Sequence, residues 1–312
     1  MSSEIVDGFI LNPQIDYSPS YKISPFTNNF IQNIKESSED KKDVFTNYIA
    51  QRFKKNFLLT SNGKNALRIA LKSLNVRSDS TVTILTTSGN TYVSKCVTDV
   101  IEEFCQWNRA LTTDSSVILV IHEFGFPYKN LLDLKKYNLP IIEDCCYAFN
   151  SQNAEKSVYH VGDYLLFSFP KYFPVQIGGL LLSKSNIDHA YADGIELQNY
   201  VSNNVSRFIN EIDDIAKKRR SNWKYLESLF GSIGLYPRFR IFDDITNAVF
   251  IFNIPPCVNL NRLKVLANNN GIESSIFYGE NVFFIPCHQN LSETDLHYFF
   301  TIISNLISKV SK

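Results

Sequence analysis

Three short stretches of this chain carry residue types at spacings that could do chemistry. The first is Ser61-Asn62-Gly63-Lys64, within TSNGKNALRIAL. A short apolar run stops there and an amphipathic helix begins, with Ser61 or Asn62 as its cap and Gly63 in its first turn. Free backbone N–H groups and the helix dipole make such a place attractive to phosphate. Simple capping is the commoner use of such a turn. The second is Asp144, which closes the apolar run LPIIED. A carboxylate at a strand end is ordinarily a cap or a surface charge, but facing a protonated ring nitrogen it would hold that proton in place. The third is Lys171 in FSFPKYFPVQIGG, framed by Phe169, Phe173 and two prolines. Desolvation in that frame is expected to lower the amine pKa, which imine formation with a carbonyl requires. Taken singly, each of the three reads better as structure than as site.

The elements that must position these residues follow a rhythm. Strands are expected at Phe57–Ser61, Thr81–Thr86, Val117–His122, Leu139–Asp144, Tyr164–Phe169 and Gly179–Ser183. Helices are expected at Lys42–Phe53, Gly63–Leu74, about Tyr92–Cys105, and briefly near Asn130–Tyr137. Alternating strands and helices predict a mainly parallel α/β sheet, and runs such as VILVIH are those of strands buried on both faces. In such sheets ligands collect at the C-terminal edge of the strands, where all three stretches would lie. Beyond about residue 186 the pattern changes. A long polar helix is expected over about Asn204–Phe230, then a strand at Ala248–Ile254, a helix at Leu260–Asn269, a strand at Ile272–Phe277 and a last helix from Glu293 to about Ile307. The expected division is therefore a large α/β domain over 1–190, preceded by an arm, and linking helices with a small α+β domain over 191–312.

Composition excludes several classes. Lys+Arg and Asp+Glu number 31 each in 312 residues, a balance that argues against a sequence-independent nucleic-acid or anionic-membrane binder. No window approaches 18 uninterrupted apolar residues, and MSSEIVDGFILNPQ lacks the basic and apolar regions of a leader, so a cytoplasmic protein is expected. The six cysteines show no CxxC and no metal-like spacing, which predicts reduced thiols and no metal. Glycine is scarce, 12 in 312, so each one retained is informative.

The order and joint spacing of the three stretches say more than any one of them. A phosphate-type turn, an aromatic, a strand ending in Asp, and a Lys 27 residues later is a layout that resembles the fold-type-I pyridoxal-phosphate enzymes. More narrowly, the chain is similar to the DegT/StrS-like nucleotide-sugar aminotransferases over roughly residues 25–310. Asn62-Gly63-Lys64-Asn65-Ala66-Leu67 resembles that family's SGTxAL turn, and His122, Gly125 and Pro127 its HxxGxP. Glu143-Asp144-Cys145-Cys146-Tyr147-Ala148-Phe149-Asn150 resembles EDAAQAHG, and Lys171 stands seven residues before Gly178-Gly179. Gly162-Asp163 precedes the Ser168-Phe169 strand end, and the segment from Asn268 to Leu296 resembles the family's C-terminal domain.

The resemblance implies a seven-stranded, mainly parallel sheet with a smaller C-terminal domain, and an active site at a homodimer interface. It implies pyridoxal phosphate as cofactor, passing through the pyridoxamine form, with glutamate and a nucleotide-linked keto-sugar as substrates. Lys171 would bind the cofactor covalently and then shuttle a proton. Asp144 would pair with the pyridine nitrogen, and the amides of Gly63 and Lys64 with the Ser168 hydroxyl would hold the phosphate. Tyr92 would stack on the ring, and Tyr147, where the family has Gln, would donate to the ring hydroxyl. His122, Tyr278 and His288 are candidates for substrate-side contacts, and Asn199, Asn203 or Asn204 for a contact to the other subunit's phosphate.

Departures from the family pattern bear on the substrate. Lys64 replaces a Thr, Ile177 replaces the Glu before the glycine pair, and the loop from Ser168 to Lys171 is two residues short. The chain is trimmed around 95–115 and 185–205. A non-catalytic relative with a degenerate substrate site is the alternative those changes motivate. A cysteine desulfurase would need a catalytic thiol on a mobile downstream loop, whereas Cys257 and Cys287 fall in or near expected small-domain elements.

Overall fold

A computed structural model describes residues 19–26, 34–35, 42–187 and 191–310. The N-terminal segment in which no leader pattern was found lies outside them. The chain forms two compact units, and each is described separately.

The larger unit gathers, of the described residues, 25–26, 34–35, 42–187, 191–216 and 243–246. After helix α1 (Lys42–Phe53) come β1 (Asn56–Thr60), α2 (Gly63–Ser73), β2 (Thr81–Thr86), α3 (Lys95–Glu102), β3 (Gln106–Asn108), β4 (Ser115–Ile121), β5 (Ile141–Asp144), β6 (Tyr164–Ser168), β7 (Gly179–Ser183) and α4 (Ile195–Ser206). The seven strands form one sheet in the order β1-β7-β6-β5-β4-β2-β3. The β2–β3, β2–β4, β4–β5 and β5–β6 pairs are parallel, while β7 runs antiparallel to both β1 and β6.

Apolar runs without alternation make sense in this sheet because both faces are covered. Ile118, Val120, Leu165 and Phe167 pack into one layer with Phe45, Ile49, Val201 and Val205. Their neighbours Val117, Leu119, Tyr164 and Leu166 pack into the other with Ala66, Leu67, Ala70 and Leu71 of α2. Helix α2 begins where its sequence says it must. The Asn62 side chain accepts from the Asn65 N–H at 3.0 Å, and the buried stripe of Ala66, Leu67, Ile69, Ala70 and Leu71 faces the sheet.

The smaller unit gathers, of the described residues, 19–24, 217–242 and 247–310. Strands β8 (Val249–Asn253), β9 (Ser275–Ile276) and β10 (Val282–Pro286) form an antiparallel sheet in the order β8-β10-β9. Helices α6 (Leu260–Asn269) and α7 (Glu293–Val310) accompany it. Its core is aromatic, with Trp223 and Phe250 rings 5.0 Å apart and Phe230 and Phe252 rings 4.6 Å apart. Tyr21 is stitched in by two backbone bonds of 2.9 Å, to Gly271 and from Glu273.

The expected architecture holds, and the differences have local causes. The helix expected over 92–105 is shorter, and Gln106–Asn108 pairs with β2 as a three-residue edge strand, too short to show a period. The single long helix expected over 204–230 is two, α4 and α5 (Ile212–Gly231), separated by a tight turn at Ile209–Glu211. The strand expected over 272–277 is only Ser275–Ile276, and Val282–Pro286, unassigned in the sequence reading, is the central strand. The division between units falls inside α5, after Ala216, rather than at 190/191, and the described residues 19–24 go with the smaller unit. Among the described residues no helix is long and apolar enough to cross a membrane.

Candidate active site

Strand register brings the chemistry-bearing residues to one edge. Thr60 and Ser168 both pair with Gly179, Ile121 pairs with Asp144, and Thr86 pairs with Ile121. The C-terminal ends of the parallel strands therefore line up, and α2 starts immediately above the first of them. A side chain at Gly179 would place its Cβ 2.7 Å from the Asn62 carbonyl carbon and from Thr60 Oγ1, so only glycine lets the β7 backbone approach that closely.

The start of α2 is a cradle. The Gly63 and Lys64 N–H groups lie in its first turn, where a helix has no internal acceptors to offer. A Cβ at Gly63 would stand 2.7 Å from Cys146 Sγ and 3.5 Å from Ser168 Cβ. Thus the absence of a side chain at Gly63 lets Cys146, two residues after Asp144, and the end of β6 pack directly against the start of α2. Asp144 itself is 9% exposed, and its Oδ1 accepts the Cys146 N–H at 2.9 Å.

Lys171 closes a one-turn 3-10 helix, Phe169–Lys171, that is anchored at both ends of its loop. The Phe169 N–H donates to the Gly178 carbonyl at 3.0 Å, and the Gly178 N–H donates to the Ser61 carbonyl at 2.8 Å. The lysine loop and the α2 turn are therefore tied together. Gly178 adopts φ +126°, and a Cβ there would meet Val201 Cγ1 at 2.9 Å. Beneath the loop, Phe149, Phe169, Tyr172 and Phe173 pack ring on ring, with Phe149–Phe173 at 5.0 Å and Tyr172–Phe173 at 4.9 Å. The Lys171 ammonium sits 4.0 Å from the centroid of the Tyr147 ring. Burial pulls its pKa down, but Tyr147, Cys146, Asp144 and Cys96 together outweigh it and hold the amine above an ordinary lysine. That reverses the expected lowering: the aromatic frame desolvates the amine, but the acidic groups facing it favour the charged form.

Tyr92 is half-buried on the loop after β2, its N–H donating to Asn90 Oδ1 at 2.9 Å. Arg109 holds this loop, donating to the Ile84 carbonyl at 2.6 Å, to Thr86 Oγ1 at 3.1 Å and to the Asn90 carbonyl. Glu123 accepts the Ser88 N–H at 2.6 Å. Nothing in the sequence marked Arg109 or Glu123. Asp193 was missed too: its Oδ2 accepts the Ser61 N–H at 2.6 Å and the Asn65 side-chain amide at 2.9 Å, clasping the α2 turn from a segment 130 residues away in sequence.

Two of the residues expected on the substrate side have their ring nitrogens engaged within the protein. His122 is 1% exposed; its Nδ1 accepts the Tyr128 N–H at 3.0 Å, so Nε2 carries the proton and meets Glu143 Oε2 at 3.2 Å. Glu143 also accepts from the Tyr159 N–H at 3.0 Å and from the Gly162 N–H. His122, Glu143 and Cys145 bring potential ligand atoms within 4.8 Å of one another, but the lone pair of His122 is already engaged. His288, in the smaller unit, is 5% exposed, with Nε2 3.1 Å from the Lys22 carbonyl and Nδ1 accepting the Asn290 N–H at 3.2 Å. Burial, with help from Arg219, depresses its pKa to about 3, so it stays neutral. Tyr278 is 43% exposed, its ring 6.0 Å from Lys264 Nζ. Asn199, Asn203 and Asn204 all lie on α4, the last two buried.

Residues 104–207 match the model of the DegT/DnrJ/EryC1/StrS aminotransferase family. No curated protein matches the chain. Among solved structures, aminotransferase TlmJ from Streptoalloteichus hindustanus is 12% identical, with 94% of this chain and 100% of that one aligned at TM-score 0.75. PseC from Helicobacter pylori, an aminotransferase involved in the biosynthesis of pseudoaminic acid, is 11% identical over 93% and 100% at TM-score 0.74. The PLP form of Spr1654 from Streptococcus pneumoniae, described as a sugar aminotransferase, is 15% identical over 95% and 100% at TM-score 0.73. The fold is that of the fold-type-I pyridoxal-phosphate transferases, as the sequence layout implied.

Proposed function

We propose that this chain, with the fold of the DegT/DnrJ/EryC1/StrS aminotransferases and their family signature over its central third, is a pyridoxal-phosphate-dependent aminotransferase. The amino group passes from glutamate to a nucleotide-linked keto-sugar, for surface polysaccharide (lipopolysaccharide or O-antigen) or related amino-sugar biosynthesis. One observation carries the reading. A helix start that Gly63 lets pack directly against Cys146 and Ser168, a strand-terminal Asp144 and a buried Lys171 within electrostatic reach of it lie at a single sheet edge.

Those residues fit the cofactor. The Gly63 and Lys64 amides and the Ser168 hydroxyl would hold its phosphate, with the positive end of α2 favouring the charge. Asp144 would keep the ring nitrogen protonated, and Tyr92 would cover the ring. When bound, the cofactor supplies an electron sink for the carbon that exchanges its amino group. Lys171 would attach the cofactor and carry a proton between the two carbons that flank the exchanged nitrogen, for which a lysine tethered on an anchored loop is suited. The working form is a cytoplasmic homodimer with the site at its interface.

The test is optical and then chemical. Purified protein should carry a visible yellow band that bleaches on adding glutamate, with 2-oxoglutarate released. A panel of nucleotide keto-sugars should then restore the band, the true acceptor fastest. Ile177 at the position of the family's Glu is 39% exposed beside the glycine pair and favours a second reading, a non-catalytic relative. A yellow protein that glutamate never bleaches would establish it.

Asp193 gives a sharper expectation. Asp193→Ala frees the Ser61 N–H and the Asn65 amide and loosens the α2 turn. Affinity for pyridoxal phosphate should fall about tenfold, the loss of about one net hydrogen bond, while that for pyridoxal should be unchanged. Titration of both ligands into cofactor-free protein, followed by absorbance, checks this. Equal losses would mean general destabilisation.

A further inference from the structure

Tyr147 replaces the family's Gln, and the sequence assigned its hydroxyl a hydrogen bond to the ring. The structure gives its ring face another partner. We infer that the Tyr147 ring is a cation platform for Lys171, stabilising the ammonium form in which this lysine holds a proton during transfer, and is thus a positioning residue acting through Lys171.

The geometry is specific. Lys171 Nζ stands 4.0 Å from the Tyr147 centroid, well within the roughly 6 Å reach of a cation–π contact, and desolvation strengthens such contacts. The platform is itself held firmly. The Phe124 ring lies 5.8 Å from that of Tyr147 at 36°, and Phe124 adopts φ 53° to be there. Next to it, Gly125 at φ +92° packs so closely that a Cβ would stand 2.2 Å from the Thr246 carbonyl oxygen and 3.2 Å from that of Tyr147. A left-handed Phe124 is an expensive way to route a backbone, while Gly125 takes up its positive φ without that cost. Here they set one aromatic ring against Tyr147 and let the chain pass close by it.

Other groups face Lys171. Asp144 and Cys146 lie at the end of β5 and just after it, and Cys96 in the first turn of α3. Cys146 is held as a neutral thiol, because burial and the nearby Asp144 push its pKa far up. Asp144 is the residue that would pair with the ring nitrogen of the bound cofactor. At that stage its charge would be engaged elsewhere, while the ring of Tyr147 still faces the lysine's cation. A Gln at this position could accept from the ammonium, but its amide is also free to turn toward the cofactor hydroxyl. A tyrosine ring face has only the one use.

The inference rests on Lys171 being the reacting amine, and the experiment keeps the two separable. Cofactor-free protein carrying lysine labelled with carbon-13 at Cε is titrated by proton–carbon NMR, with Lys171→Gln identifying the resonance. In wild type the Lys171 ε-protons should lie upfield of the solvent-exposed lysines, shifted by the ring current. Tyr147→Phe keeps the ring and should keep the shift, with a fall in apparent pKa smaller than that of the Leu variant, because only the phenol's own contribution is lost. Tyr147→Leu should abolish the shift and lower the pKa by about one unit. Wild-type ε-protons at ordinary positions would overturn the inference without any variant. So would a Phe variant that titrates like the Leu variant, since the phenol rather than the ring face would then be responsible. Wild type that shows the shift but never takes up pyridoxal phosphate would overturn the functional reading and leave the platform intact.

Discussion

Lys171→Ala eliminates amino transfer: turnover falls by at least about 10³-fold, and borohydride no longer fixes pyridoxal phosphate to the protein. Two losses coincide in that one change. On the proposed function, the amine that would attach the cofactor disappears together with the group that would carry the proton, and residues acting as a unit do not lose their contributions additively. The fold should survive. Lys171 ends a short turn whose backbone bonds, Phe169 to Gly178 and Gly178 to Ser61, do not involve its side chain. The Phe149–Phe169–Tyr172–Phe173 packing beneath it is likewise untouched. Mass spectrometry after borohydride reduction should show the cofactor mass on wild type only, on the peptide containing Lys171. Cofactor mass on another lysine would sink the assignment. An unchanged melting temperature would show that chemistry rather than folding was lost.

The second large effect concerns stability. Glu143→Ala should cost about 3–5 kcal/mol of unfolding free energy, measured as a shift in denaturant midpoint. Glu143 is fully buried between β4 and β6 and is the common acceptor for His122 Nε2, the Tyr159 N–H and the Gly162 N–H. Removing it strands three donors that water does not reach. A cavity follows as well, because a Cβ at Gly162 would lie only 2.9 Å from Glu143 Cγ, which shows how tightly this side chain is enclosed. His122→Ala should cost less, and the double variant should cost less than the sum of the two, since the pair shares one interaction. A loss under about 1 kcal/mol for Glu143→Ala would mean that the carboxylate is hydrated and the pair incidental.

These two neighbours, Glu143 and Asp144, show where sequence reading succeeds and where it stops. Both are visible as charges ending a buried strand. Alternation along a strand sends them to opposite faces, one into the packed layer and one toward the edge above α2. Register then decides what each meets. Asp144 was picked out by its spacing from Lys171, and Glu143 was not, because its partners come from residues 122, 159 and 162. That His122 and His288 have both ring nitrogens engaged is hidden from the sequence for the same reason. A histidine's type says that it can bind or transfer, but whether its two nitrogens are already engaged depends on backbone groups brought in by the fold.

Other gaps have equally local causes. Asp193 and Arg109 act on the α2 turn and on the Tyr92 loop across separations of 132 and 19 residues, the longer without any motif to announce it. The expected lowering of the Lys171 pKa considered only its flanking aromatics. Four groups from elsewhere in the chain reversed it. Edge strand β3 and the central strand β10 escaped because a three-residue strand has no period and VFFIP follows a turn within a segment read as loop.

By itself the sequence determined which strands are buried on both faces, where α2 begins, and the order of turn, carboxylate and amine along the chain, because these depend on local patterning and covalent spacing. The tertiary structure decided that β7 runs against its neighbours so that Gly179 meets both Thr60 and Ser168. It also decided which histidines are already engaged, and which ring Lys171 faces. Those depend on strand register and on partners distant in sequence, and neither is encoded in the local pattern.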